Sequence, residues 1–474
     1  MPDPLKRPTF LVHDYETFGK HPALDWPAQF SAIRTDSQFR ILEEPTNFLC
    51  HPADDYLPDP EAVLITGITP QKALSDGISE VEFARRIYKM FNMPDTCILG
   101  YNNINFDDEV SRNLFYRNFY DPYGWSWKQG NSRWDLLDVM RACYALRPEG
   151  ISWPINEEGL PSFRLQDLTH ANGIEHSNAH DAMADVYATL EIGKLIYKMQ
   201  PNLFNFLYHY RGKRELKRLI APLETMTPLV HISGMFGAAR GNTAWIAPLA
   251  WHPYNPNALI VCDLSGNIQL LEELDSDALR NRLYTKKHAL YKNTSVPLKI
   301  VYLNKCPVLA PANTLRPIDA ERLGIHRKRC LDNLTWLRKR PELRKKIVAV
   351  FSEKTTVFTP SDNVDTQLYD GFFSESDRAT MNIILSTNPE SLQTLNISFI
   401  DPRLNLLLFR YRARNFKHTL NHDEALRWLE HRNIYFNKAR LDGYLQKIKE
   451  LSLMHQGNTQ KIQLLDALCE YCQI

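Results

Sequence analysis

The 474-residue sequence contains no apolar run of about 18 residues, which excludes an ordinary membrane-spanning helix. Its first residues, Met1-Pro2-Asp3-Pro4, lack the basic-then-apolar pattern of a secretory signal. A cytoplasmic protein with no membrane partner is therefore expected. The eight cysteines are scattered, and only Cys469 and Cys472 form a close pair. A structural zinc site would need a second pair or neighbouring histidines, so reduced thiols are the reading. Neither internal repeats nor low-complexity tracts are present. An excess of one charge is also missing overall, at +1, but that balance is local rather than uniform. Residues 1–200 hold 18 Lys and Arg against 29 Asp and Glu, whereas residues 201–350 hold 24 against 11. An acidic block followed by a basic one fits a carboxylate site beside a surface for a polyanion.

The length calls for several domains. Residues 9–18 and 97–101 read as buried strands, and residues 109–119 and 180–199 carry helical spacing of apolar side chains. Between them, 148–162 reads as a loop. Strands alternating with helices through residue 199 predict an α/β domain over 1–200. After Pro201 the texture changes. Segments 258–263 and 296–303 read as strands around a turn at Ser265-Gly266-Asn267, and helical spacing resumes over 318–348, which predicts a basic, mostly β domain over 201–354. Thr355–Asn363 reads as a linker. Segments 375–386, 422–432 and 436–472 predict an all-α domain over 355–474.

The residues that point to chemistry are acidic. In His13-Asp14-Tyr15-Glu16-Thr17, strand geometry sends Asp14 and Glu16 to one face. Two adjacent anions repel unless a cation holds them, and a hard divalent ion with oxygen ligands is the simplest choice. In Gly100-Tyr101-Asn102-Asn103-Ile104-Asn105-Phe106-Asp107, a strand runs through a polar turn into a helix, where Asp107 or Asp108 serves either a site or an N-cap. In His180-Asp181-Ala182-Met183-Ala184-Asp185, the histidine and Asp185 would lie about 140° apart on a helix. They can share a site only if His180 sits at or before the first turn.

Together these elements resemble the DEDD exonuclease superfamily in its histidine variant, and Thr66-Gly67-Ile68-Thr69 fits it as well. His-Asp-Tyr-Glu-Thr-Phe-Gly, Tyr-Asn-Asn with Phe-Asp-Asp-Glu, Ser-Asn-Ala-His-Asp-Ala-Met-Ala-Asp-Val, residues 115–123 and residues 303–309 narrow the resemblance to the bacterial exonuclease I family. That resemblance implies a ribonuclease H-like nuclease domain of mixed sheet and helices, an SH3-like β domain and an all-α C-terminal domain. It implies processive 3′→5′ degradation of single-stranded DNA to mononucleotides, in DNA repair and recombination. Asp14, Glu16, Asp107 and Asp185 would hold two Mg²⁺ ions, with Mn²⁺ able to substitute, and His180 would act as general base near neutral pH. Glu16 would also meet the terminal 3′-hydroxyl, and Arg164 matches a substrate-contacting arginine. Asp108, Glu109 and Asp181 read as supporting or solvated acids.

Residues 112–134 interleave aromatics with cations, as single-strand binding requires. Phe115, Phe119 and Trp134 are assigned to packing; Arg112, Tyr123 and Trp127 are assigned to DNA. In the middle domain, Asn304 and Lys305 and the basic run Arg211, Lys213, Arg214, Lys217 and Arg218 are candidates for strand contact or for a solvated face. Relatives of this family bind the acidic, apolar-ended tail of single-stranded DNA-binding protein. A receptor for such a tail needs an arginine, a pocket and nearby cations, and Arg147, Arg316 and Phe206 are the candidates. The rival role for both arginines is a structural staple. A monomer is expected. Relatives that act on short RNA or serve as proofreading subunits are little more than a nuclease domain, and an inactive DNA-binding adapter would not need five intact catalytic positions.

Overall fold

The computed structural model describes residues 8–176, 180–285, 295–352 and 361–472. By packing, the chain forms two compact units, the first Met1–Ser132, His176–Tyr187 and Thr359–Ile474, the second Arg133–Glu175 and Ala188–Phe358. In the first, β1 (Thr9–Thr17), β2 (Pro27–Thr35) and β3 (Thr46–Leu49) are followed by helices α1 (Pro60–Thr66), α2 (Pro70–Asp76) and α3 (Glu80–Phe91). β4 (Thr96–Gly100) then leads into α4 (Asp107–Arg117), and the chain leaves this unit through β5 (Ser132–Asp135). The sheet order is β3-β2-β1-β4-β5. β1 pairs antiparallel with β2 and parallel with β4, so it lies inside the sheet and is buried on both faces. That placement explains its near-continuous apolar start, Phe10-Leu11-Val12. Phe30, Phe83, Phe91, Phe115 and Trp125 pack the core beneath it.

In the second unit, α5 (Leu136–Leu146) and α6 (Leu165–Ala171) flank the loop expected at 148–162, and α7 (Ala182–Met199), which starts in the first unit, continues into the second. α8 (Pro201–His209) and α9 (Lys213–Ile220) precede strands β6 (Leu229–Ile232), β7 (Thr243–Trp251), β8 (Ala258–Asp263), β9 (Leu298–Tyr302) and β10 (Val308–Pro311). These form an antiparallel sheet in the order β10-β6-β7-β8-β9. The three helices Pro317–Arg322, Arg327–Arg338 and Leu343–Val350 occupy the segment read as helical. Residues 133–175 and 188–200 pack within the second unit, whereas 176–187 pack within the first. The apolar α5 packs on α8, β6 and β10, and Trp134 meets Phe204 and Tyr208 edge-on at 5.0 and 5.3 Å. Most of the expected linker lies outside the described residues.

The C-terminal segment is helical, as its composition suggests, with two differences. The run 436–472 is two helices, Lys438–Met454 and Thr459–Tyr471, because Asn458 caps a new start just after Gly457. A further helix, Arg403–Asn415, lies outside the segments expected to be helical and buries Arg410 and Arg412. Among the described residues no helix is long and apolar enough to cross a membrane.

Candidate active site

β4 pairs with β1 only as far as Val12 opposite Leu99, so Asp14 and Glu16 stand past the end of β4. Here the carboxyl ends of adjacent parallel strands leave a crevice. The turn after β4 is tightly built. Asn102 adopts a left-handed φ of 63°, and a Cβ on Gly100 would come within 2.7 Å of the Asn103 Cβ, so glycine is required. Buried Asn103 donates to Asp108 Oδ1 at 3.2 Å, and its carbonyl accepts from the Asp108 N–H at 2.9 Å. Asp108 is thus a supporting residue. Asp107 is the first residue of α4, not its cap; Phe106 holds the cap position without a side-chain bond. Asp107 Oδ1 accepts from the Tyr15 N–H at 3.1 Å, which ties α4 to the strand carrying Asp14 and Glu16.

The third element is hung from β2. Gln29, opposite Glu16 in the sheet, donates to Asp181 Oδ2 at 3.3 Å and accepts from the Ala182 N–H at 3.2 Å. Asp181 Oδ1 in turn accepts from the Met183 and Ala184 N–H groups at 3.1 Å, closing the free end of α7. Asp181 is therefore structural. His180 precedes the helix, exposed, with φ of 70°, the irregular entry that lets it share a site with Asp185.

Ligand atoms of Glu16, His180 and Asp185 lie within 4.8 Å of one another, close enough to hold one metal ion. The surrounding charge favours a cation too. Burial, then the charges of Asp107, Glu16 and Asp185, hold the Asp14 carboxyl well above the usual carboxylate range. Burial, followed by Asp185 and Asp107, pushes Glu16 up to about 9. Burial and Asp108 push Asp107 up to about 7. Four carboxylates built to oppose each other without a cation are the donor set a hard divalent ion satisfies.

The other candidates fall in several places. Phe115, Phe119 and Trp134 are core, as assigned. Trp127 is 65% exposed beside Lys128, an open stacking face. Arg112 lies over the Tyr123 ring and is engaged by Glu109 at 2.6 Å and by the Tyr369 hydroxyl at 3.4 Å. Tyr123 also meets Phe372, which is 83% exposed, at 5.6 Å. A 290 Å³ cavity lined by Tyr88, Tyr120, Tyr123, Phe372 and Arg378 opens here. In the second unit, Arg164 is exposed just before α6, and Asn304 and Lys305 are exposed on a turn between β9 and β10. Arg147 donates to the Thr314 carbonyl at 3.0 Å, and Arg316 pairs with Glu149 and Asp319 at 2.5 Å. Both arginines therefore do tie residues 146–149 to 314–319. Phe206 is half-buried against Tyr210 at 4.7 Å.

Two contributions escaped the sequence reading. Tyr369 and Phe372 come from a segment about 250 residues beyond Arg112 and Tyr123, and no local pattern links them. His176 donates to Asp185 Oδ1 at 2.5 Å. The signal for it was present, a second histidine four residues before His180.

A mixed sheet whose central strand, following helix and closing helix each bring acids to one crevice, with a histidine at the rim, defines an acidic-site nuclease of the DEDD type. Comparison with known proteins agrees. Residues 11–192 match the Exonuclease family, 211–353 the Exonuclease I SH3-like domain and 362–474 the Exonuclease I C-terminal domain. The chain is 62% identical to exodeoxyribonuclease I of Escherichia coli (strain K12), over 100% of this chain and 99% of that protein. It superposes with a TM-score of 0.95 on the zinc-bound form of an E. coli exonuclease I complex with single-stranded DNA, at 62% identity and 99% coverage of both chains. A complex of exonuclease I with SSB-Ct gives 0.94 at 60% identity, again covering 99% of both. The chain belongs to the exodeoxyribonuclease I family.

Proposed function

We propose that this chain is a cytoplasmic, monomeric 3′→5′ exonuclease that hydrolyses single-stranded DNA processively to mononucleotides in DNA repair and recombination. The convergence of Asp14, Glu16, Asp107, Asp185 and His180 on one crevice carries the reading. Three segments would divide the work: nuclease residues 1–200, basic residues 201–354 and helical residues 355–474. The four carboxylates would hold two Mg²⁺ ions, with Mn²⁺ able to replace them. Bound there, divalent cations supply Lewis-acid stabilisation of charge on the phosphate and on the departing 3′ oxygen. His180, exposed at the rim, accepts the proton of the attacking water. Glu16 meets the terminal 3′-hydroxyl and fixes which phosphodiester is presented. Arg164 clamps a phosphate; Arg112, through its guanidinium edge, and the rings of Tyr123 and Trp127 hold unpaired bases and backbone, with Asn304 and Lys305 guiding the strand further on.

The test uses end-labelled oligonucleotides with Mg²⁺. Single strands are expected to be shortened from the 3′ end to mononucleotides, blunt duplex far more slowly, and binding to weaken steeply with salt. Equal rates on blunt duplex and single strand would contradict the proposal. His180→Ala is expected to lose roughly 10²–10⁴-fold in rate with cation binding retained and partial recovery as pH rises. An unchanged pH–rate profile would remove His180 as proton acceptor.

The second unit would receive the tail of single-stranded DNA-binding protein, the SSB-Ct of the related complex. Arg316 offers a partly exposed guanidinium, Arg147 lies on the adjoining segment, and Phe206 offers an apolar wall. Arg147→Ala or Arg316→Ala is expected to weaken a fluorescent tail peptide about tenfold in anisotropy, a loss of ~1.4 kcal/mol, with hydrolysis of naked DNA unchanged. Unaltered affinity in both would leave only the staple.

A further inference from the structure

We propose that His176 is the positioning residue for Asp185: its imidazole Nε2–H holds one carboxylate oxygen and so presents the other to the cation shared with Glu16. This rests on the reading of the crevice as a divalent-cation site. Each acid on a helix in this crevice needs something to aim it. Asp107 is aimed by the Tyr15 N–H at 3.1 Å. Asp181 spends its oxygens on Gln29 and on the first N–H groups of α7. Asp185 has neither device. Among the described residues, the only donor to its carboxylate is His176 Nε2 at 2.5 Å.

The chemistry of that bond is directional. An ionised carboxylate can only accept, so Nε2 must carry the proton. The imidazole side chain is 4% exposed, so the donor is shielded from water. Without it, no other donor among the described residues would fix the Asp185 carboxylate in place before a cation arrived. Outer partners of this kind set the orientation of a ligand, and their loss typically lowers metal affinity or activity by about 10–100-fold. The assignment also separates the two histidines of this stretch. His176 is buried and committed to a carboxylate, whereas His180 is exposed at the entry to α7.

Full-length wild type, His176→Ala and His176→Gln are compared by calorimetric titration with Mn²⁺, alongside Mg²⁺-dependence of hydrolysis. Glutamine places an amide N–H close to the position of Nε2. His176→Ala is expected to bind Mn²⁺ about 10–100-fold more weakly, and to need correspondingly more Mg²⁺ for half-maximal rate, with KM for the single strand unchanged. His176→Gln is expected to recover most of both losses. Wild-type Mn²⁺ affinity in His176→Ala would overturn the proposal, and so would an equal loss in His176→Gln, which would mark a role in packing. A wild-type protein that binds no Mn²⁺ would instead overturn the cation-site reading itself.

Discussion

Asp14→Asn, Glu16→Gln, Asp107→Asn and Asp185→Asn are each expected to cut hydrolysis by roughly 10³-fold while making the cation-free protein more stable, not less. Both effects have one cause. Asp14, Glu16 and Asp107 gather on β1 and at the start of α4 beside Asp185 on α7, and burial together with the neighbouring acids raises the cost of ionising those three. Removing one relieves that repulsion and removes a ligand at once. The pH dependence follows. Glu16 is pushed up to about 9 and Asp107 to about 7, above their unfolded values, so the folded state binds protons more tightly. Their contribution is full below about pH 4 and is lost as pH rises through 7 to 9. Cation-free protein is therefore expected to melt at a lower temperature at pH 9 than at pH 5, a difference that Mg²⁺ reduces. Thermal melts with EDTA and with Mg²⁺ check this, and a melting temperature that does not fall toward pH 9 in EDTA would contradict it.

Asp365→Ala is expected to destabilise the first unit by ~3–5 kcal/mol, because it leaves a buried cation half-paired. Arg414, on the helix Arg403–Asn415, is 6% exposed and joins two carboxylates, with Asp55 at 2.7 Å and Asp365 at 2.6 Å. Its guanidinium lies 4.8 Å from the Trp26 ring and 5.9 Å from that of Trp428. Arg410 adds a second contact to Asp365 at 2.7 Å, and His431 one to Asp55 at 3.0 Å. Burial opposes ionisation of both acids, but the Arg414 guanidinium outweighs it with help from these neighbours, holding Asp55 well below the usual range and Asp365 at about 2. A depressed carboxylate contributes stability above its unfolded value near 4 and loses it as pH falls through the folded one. Acid unfolding of the wild type is thus expected between about pH 4 and 2, and Asp365→Asn should narrow the loss across that window. Urea melts at pH 7 and pH 3 measure both effects; a change under ~1 kcal/mol in Asp365→Ala would show that the cluster is dispensable.

The parts of this molecule that local sequence can encode were legible. β1 announces itself by an apolar run ending in alternating acids, and α7 by its 3.6-residue spacing. Their joint meaning needed the order of three short motifs, not any one of them. β7 was not legible, because Pro248 argues against an inner strand. The register shift between Pro248 and Ala250 accommodates it at a bulge. The partners of Arg414, Asp55 and Asp365, lie 359 and 49 residues away, so no local pattern shows that cluster. The same long-range pairing hid Tyr369 and Phe372 beside Tyr123. His176 was hidden for a different reason: two histidines precede Asp185, and spacing alone does not say which one bonds to it.

The most direct test of the central claim, that these acids form a divalent-cation nuclease site, is hydrolysis of a 5′-labelled single strand titrated with EDTA and then with Mg²⁺. The account predicts that release of nucleotides stops in EDTA, returns with added Mg²⁺, and does not return in Asp185→Asn. Undiminished release in EDTA, or full activity in Asp185→Asn, would contradict it.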